Sequence, residues 1–248
     1  MRGEGRDVFP RGWEALAAVP ALTSFDFPVA LVVTDGAGTL LEAGDVSGVL
    51  PFASVTKLIV AWSALVAVDR GLTSLDAPAG PPGATVRHLL SHASGVAFDS
   101  DTVLAPPGTR RIYSNRGFEI LGAHLQDVTA TPLEQWVEVT VLEPLGMASV
   151  MVPASPAWSG TGSAADLALL ARELAAPTLV SPALARQARR PVWPRLDGVL
   201  PGYGRQSPNE FGLGAEVRGH KSPHWTGRRS SPETLGHFGQ AGSFLWVD

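Results

Sequence analysis

Residues 54–71 impose the strongest constraint on what this chain can fold into. Between Ser54 and Val68 the only charged residue is Lys57, and the run Leu58-Ile-Val-Ala-Trp-Ser-Ala-Leu-Val-Ala-Val68 follows it without a break. A helix over Ser54 to Arg70 therefore has no polar face and must be enclosed on all sides. Gly71 stands where a left-handed residue closes a helix. The apolar run of 11 residues is short of the ~20 needed to cross a bilayer, so it reads as the centre of a core rather than as a membrane span.

Enclosing such a helix takes a sizeable chain. The 248 residues, 45% of them hydrophobic, suffice for one large domain or two interleaved ones. Charged residues are 17% and the net charge is -4, which argues against extended disorder and against the clustered basic surface of a nucleic-acid partner. No cysteine is present, so disulfides, thiolate metal sites and a cysteine nucleophile are excluded. Residues 1–7 lack a basic stretch leading into an apolar one, and without a signal peptide or transmembrane segment the expected location is the cytoplasm.

Val29-Ala-Leu-Val-Val-Thr34 and Thr39-Leu-Leu-Glu-Ala43 read as two strands joined by a turn at Asp35-Gly-Ala-Gly38. From about 85 to 190 the spacing is helical: Thr85 precedes Val86, Leu89 and Leu90, and Asn115 precedes Phe118, Leu121, Leu125 and Val128. Thr131-Pro-Leu-Glu134 has the form of a capping box, and Ser163 and Ser181-Pro182 open two further helices. Residues 191–232, with six prolines and seven glycines, read as long loops, and Leu235 to Val247 returns to strand character. Strands at both ends with helices between them predict a sheet layer into which a helical segment is inserted.

Lys57 supplies the first chemical clue. In Ser54-Val-Thr-Lys57 the spacing of three sets both side chains on one face of a helix. An amine held among apolar groups is pushed toward neutrality and can take a proton from a neighbouring hydroxyl. The chain has only two lysines, two tyrosines and two asparagines, so Tyr113-Ser-Asn115 arises by chance only ~0.016 times in a chain of this composition. The phenol can shuttle a proton if nearby cations favour its ionised form, and the amide can hold both the lysine and a substrate carbonyl. A packing tyrosine and a helix-capping asparagine would explain the same letters equally well. His237-Phe-Gly239, on a glycine-flanked terminal strand, is a common triplet whose setting lets a substrate lie along the strand edge.

In this order the three elements resemble the serine β-lactamase and penicillin-binding peptidase superfamily. Within it they are similar to the branch of class C β-lactamases, D-alanyl-D-alanine peptidases and family VIII esterases. Pro51-Phe-Ala-Ser-Val-Thr-Lys57, Arg87-His-Leu-Leu-Ser-His-Ala-Ser-Gly95 and Pro107-Gly-Thr-Arg-Arg-Ile-Tyr-Ser-Asn115 extend the likeness, which covers roughly residues 28 to 248. The resemblance implies an α+β, β-lactamase/transpeptidase-like fold, with an antiparallel sheet flanked by helices and an inserted all-helical domain. The sheet domain would take residues 1–75 and 210–248, and the helical insertion with its long loops residues 76–209. It further implies a serine hydrolase in which Ser54 forms an acyl-enzyme, Lys57 and Tyr113 share the acid and base work, and Asn115 orients the lysine and the substrate. The backbone N–H groups of Ser54 and of Gln240, the residue after Gly239, would form the oxyanion hole.

His237 stands where many relatives have lysine, facing the carboxylate side of the substrate. A neutral imidazole anchors a carboxylate weakly, so esters or amides of small molecules are expected ahead of β-lactams or peptide acids. The alternatives are β-lactamase or D-alanyl-D-alanine peptidase activity, or an inactive relative that binds a ligand through the same cleft. No cofactor and no metal are expected, since the metal-binding pattern H-E-x-x-H does not occur. His88 and His92 read as structural, and Arg186, Arg189, Arg190, Arg195 and Arg205 as a solvated face. Trp193, Tyr203 and Trp225 are candidates to line a substrate cleft. Relatives continue past Phe244-Leu-Trp-Val-Asp248 with a further strand and a covering helix, so an open sheet face and edge are expected here.

Overall fold

The computed structural model describes residues 25–248; residues 1–7, read for a leader, and the first 24 residues assigned to the sheet domain lie outside that range. An antiparallel hairpin of β1 (Ala30–Thr34) and β2 (Thr39–Gly44) comes first. Its turn is held by the Asp35 carboxylate, which accepts from the N–H groups of Ala37 at 2.8 Å and Gly38 at 3.0 Å. β3 (Leu50–Pro51) then leads through a 3₁₀ turn at Ala53–Val55 into α1 (Thr56–Asp69).

The all-apolar segment is buried as expected, without interruption from Thr56 to Ala67. Gly71, at φ +72°, ends it, and the Gly71 and Leu72 N–H groups return to the carbonyls of Val68 and Ala67. After α2 (Val86–Leu90), which packs on α3 (Asn115–Thr129), α3 and α4 (Leu133–Val137) both pack on α1, and α4 continues through a wider helical turn at Glu138–Leu142 into α5 (Glu143–Leu145). The expected capping box at 131–134 does not form. Pro132 itself takes the cap position, and Gln126 Oε1 accepts the Leu133 N–H at 3.1 Å instead.

β4 (Thr161–Gly162) returns to pair with β3. Ser163 caps α6 (Ala164–Ala175) by accepting the Asp166 N–H, and α7 (Pro182–Ala188) follows. α6 is tied to α1 by the buried Glu173 carboxylate, which accepts from Trp62 Nε1 at 2.9 Å, Thr178 Oγ1 at 2.7 Å and the Leu179 N–H at 2.9 Å.

Residues 191–232 hold more regular structure than their composition suggests. They contain a hairpin of β5 (Gly198–Leu200) and β6 (Gly204–Gln206), then β7 (Glu216–Val217). Strands of two or three residues are too short to show an alternating pattern. The expected strand character over 235–247 resolves into β8 (Leu235–Phe238) and β9 (Phe244–Val247), which with β7 form a three-stranded antiparallel sheet in the order β7-β8-β9. α6 packs against both β1 and β9, so strands from the two ends of the chain share one helix in an α+β arrangement. No helix among the described residues is long and apolar enough to cross a membrane.

Candidate active site

Ser54 lies in the 3₁₀ turn, just before the α-helix proper, and is partly exposed, while Lys57 in the first turn of α1 is buried. Ala53 is held at φ +44°, a left-handed backbone that costs a residue with a Cβ ~1 kcal/mol. The turn is fixed from outside. The Phe52 N–H donates to Gly160 O at 2.8 Å, Phe52 O accepts from Ser243 Oγ at 2.5 Å, and Thr56 Oγ1 donates to Ala53 O at 2.6 Å. The Ser54 N–H itself has no acceptor among the described residues.

Lys57 Nζ has three oxygen neighbours: Ser54 Oγ at 3.2 Å, Asn115 Oδ1 at 2.7 Å and Ala157 O at 2.8 Å. Burial pushes the amine down from its ordinary 10.5 to about 7, with Glu119 opposing. A neutral amine has two N–H groups and one lone pair. Asn115 Oδ1 and Ala157 O can only accept, so they take the two N–H groups and leave the lone pair for the Ser54 hydroxyl. Asn115 is free for this because Ser114, not Asn115, caps α3, its Oγ accepting the Gly117 N–H at 2.8 Å.

Tyr113 closes the group from the other side, its ring centroid 4.8 Å from Lys57 Nζ. Burial pushes the phenol well above its ordinary range, outweighing the lowering effect of its hydrogen bond with Ser54. The idea that nearby cations favour the phenolate is therefore reversed here, and Tyr113 is a protonated group. His92 positions it: the Ile112 N–H donates to His92 O at 2.9 Å, the Ser114 N–H to His92 Nδ1 at 3.1 Å, and the two rings lie 4.4 Å apart. Burial holds His92 well below its ordinary value, in keeping with a structural part.

His237 is also in the group but does not face an open cleft. It is 3% exposed. Its Nδ1 donates to Phe238 O at 2.7 Å, and Nε2 lies 3.5 Å from the Tyr113 hydroxyl. Burial, with Lys57 adding to it, pushes the ring down to about 4, so it is neutral and sits as an acceptor beside the phenol. Buried and neutral, it has no charge to offer a substrate carboxylate. Gly239 is where β8 meets the Ser54 turn: a Cβ there would lie 2.4 Å from Phe52 O and 2.3 Å from Ser243 Oγ. That close approach sets the exposed Gln240, whose N–H has no acceptor among the described residues, next to the Ser54 turn.

A cleft of about 740 Å³ opens beside Tyr113. Phe98, Leu104, Val199, Arg110 and Arg195 are among its walls. The three aromatics expected to line a cleft do not line this one. Trp193 stacks on His88 at 4.2 Å, Tyr203 meets Phe238 edge-on at 5.8 Å, and Trp225 donates Nε1 to Glu216 at 2.7 Å. No group of three His, Asp or Glu side chains among the described residues is placed to hold a metal ion.

A family model described as Beta-lactamase matches residues 29–248. The chain belongs to the beta-lactamase family. Members of this family are serine hydrolases, and the segments that converge on Ser54 all fall inside the match. A crystal structure of a beta-lactamase from Mycobacterium bovis is 47% identical, with a TM-score of 0.90 over 93% of this chain and 86% of that one. A hydrolase with promiscuous acyltransferase activity, 17% identical, superposes with a TM-score of 0.74 over 95% of this chain and 89% of that one, which shows a shared fold alone. A protein of Salmonella paratyphi B, provisionally named a D-alanyl-D-alanine carboxypeptidase, is 27% identical over 57% of this chain and 43% of its own length. The chain thus spans less than half the length of the curated relatives it matches.

Three contributors to this beta-lactamase-family site escape sequence reasoning. Ala157 acts through a backbone carbonyl 100 residues from Lys57, and nothing in its side chain marks it. Ser243 ties the β8–β9 turn to Phe52. Glu216, buried against Lys221 at 2.9 Å and accepting His224 Nε2 at 2.9 Å, acts through its charge on Tyr113 and His237. The scarcity of lysine is the one signal that singles Lys221 out.

Proposed function

We propose that this chain is a serine hydrolase that forms an acyl-enzyme at Ser54 and acts on carboxylic esters or amides of small molecules. The observation that carries the reading is the surround of Lys57, an amine pushed to about 7 with two acceptor-only neighbours and the Ser54 hydroxyl as its third. In this mechanism neutral Lys57 takes the Ser54 proton as Oγ attacks the carbonyl carbon. The carbonyl oxygen gains the negative charge and is met by the Ser54 and Gln240 N–H groups, donors of a kind worth ~3 kcal/mol each in a transition state. Collapse expels the leaving group, which takes a proton from Tyr113, and Tyr113 is restored from Lys57. Water then repeats the sequence on the acyl-enzyme. Asn115 holds Lys57 in register, and His237 holds the phenol.

The neutral, buried His237 favours esters over β-lactams, since it offers a lactam carboxylate no charge. β-Lactamase or D-alanyl-D-alanine peptidase activity is the alternative, suggested by the names of the relatives. We assign the helices between residues 76 and 209 to an insertion into a sheet domain of residues 1–75 and 210–248. Side-by-side kinetics with an activated ester, a penicillin and a D-alanyl-D-alanine peptide test the substrate class. Ester turnover ahead of the other two is expected, and faster penicillin or peptide turnover would replace the reading with the alternative. An inactive, ligand-binding role would show as reversible binding with no turnover of any of the three.

A further inference from the structure

The cleft beside Tyr113 has a composition that the hydrolytic chemistry leaves unused. Phe98, Leu104 and Val199 line it and are 49%, 55% and 60% exposed. Large apolar side chains gathered in one concave site, rather than scattered, mark a surface that a ligand covers. The opposite character comes from arginine. Arg205 is paired with Asp197 at 2.9 Å. Arg110 and Arg195 are exposed, line the cleft, and have no carboxylate in salt-bridge range among the described residues.

Arg111 also contributes to the wall, buried, its guanidinium held by carbonyl oxygens including Asn209 O at 2.9 Å and Val192 O at 2.6 Å. Those carbonyls satisfy its hydrogen bonds but do not cancel its charge. Arg110, Arg195 and Arg205 therefore face Asp197 alone across this cleft of a chain whose formal charge is -4, while the buried Arg111 guanidinium is opposed by Glu210. A local positive field on an acidic molecule concentrates anions at that place.

Tyr113 belongs both to the catalytic group and to the cleft wall. Since Tyr113 gives its proton to the leaving group, the part of the substrate that passes it into the cleft is the leaving-group limb. We infer that this limb is an apolar chain ending in a carboxylate, the chain lying on Phe98, Leu104 and Val199 and the carboxylate meeting Arg110 and Arg195. Arginine suits the end point because its planar fork can bind a carboxylate through two parallel hydrogen bonds. This inference rests on the hydrolase reading above and deepens it, placing the anion site away from His237.

The test uses two acetate esters with the same reacting bond, 6-acetoxyhexanoate and its neutral terminal amide, 6-acetoxyhexanamide. The wild-type protein is expected to show kcat/KM about tenfold or more in favour of the carboxylate at low salt. The ratio should fall to within about twofold in the Arg110→Gln/Arg195→Gln double variant, and should shrink in wild type as NaCl rises from about 20 to about 500 mM. A wild-type ratio near one, or a ratio the double variant leaves unchanged, overturns the proposal. Titration of the same pair into Ser54→Ala protein reads the binding preference without turnover. If wild type hydrolyses neither ester, the hydrolase reading fails, while the anion site still stands on a carboxylate preference in that titration and falls on equal affinities.

Discussion

At the scale of single residues, the chemistry depends on which groups burial leaves charged. Lys57 and Tyr113 are pushed in opposite directions by the same cause: desolvation lowers the amine to about 7 and raises the phenol. Below about 7 the amine is protonated and cannot accept from Ser54; above it the lone pair is free. The kcat/KM for an activated ester is therefore expected to climb with pH through about 7, and a profile flat across that value would assign the base elsewhere. Lys57→Ala should lower the acylation rate by ~10³-fold or more. Tyr113→Phe should slow an alkyl ester by ~10² but a nitrophenyl ester much less, because nitrophenolate leaves without a proton. Equal losses on the two esters would remove the acid role from Tyr113. These residue types were readable from three short motifs. Their protonation states were not, since burial sets them first, and the groups that enclose them include Ala157 and Glu216, which lie far from the motifs in sequence.

At the scale of elements, the site is a junction between a helix start and a strand end. α1 was legible because a helix whose only charges are Lys57 and the terminal Asp69 admits a single burial pattern, and its glycine stop closed where composition placed it. The strands that bring Gly239 to the Ser54 turn were only half legible: four residues each, they carry too few alternations to show where one ends and the next begins. Their contact rests on the missing side chain of Gly239 and on the Ser243 hydrogen bond to Phe52. Gly239→Ala is expected to push the β8–β9 turn off Phe52, cost ~2 kcal/mol of stability and lower kcat by ~10² through the displaced Gln240 N–H. Thermal unfolding and ester kinetics measure the two effects separately. Wild-type behaviour in both would show that the close approach is not needed.

At the scale of the molecule, the catalytic helix is held by residues far from it in the chain. Glu173 binds Trp62 of α1 and the 178–179 backbone at once, a link across 111 residues for which a polar position on an amphipathic helix gives no sign. Glu173→Leu leaves those donors buried without partners, and a loss of ~3 kcal/mol is expected in chemical denaturation, with activity retained where the variant remains folded. An unchanged midpoint would mean that the link contributes nothing to the core. The arginine run shows the same limit on sequence reading. Arg189 caps the end of α6 through Leu174 O at 2.9 Å, whereas Arg195 turns into the cleft, although both belong to one basic stretch.

The central claim is that Ser54 is the nucleophile, and covalent capture tests it most directly. Intact protein mass would be recorded after incubation with an activated ester and with a fluorophosphonate, beside Ser54→Ala protein of verified fold. A single adduct on the wild-type chain, mapped to Ser54 and absent from the variant, is the expected result. An adduct that survives in Ser54→Ala, or a folded wild-type chain that takes up neither reagent, would contradict the account.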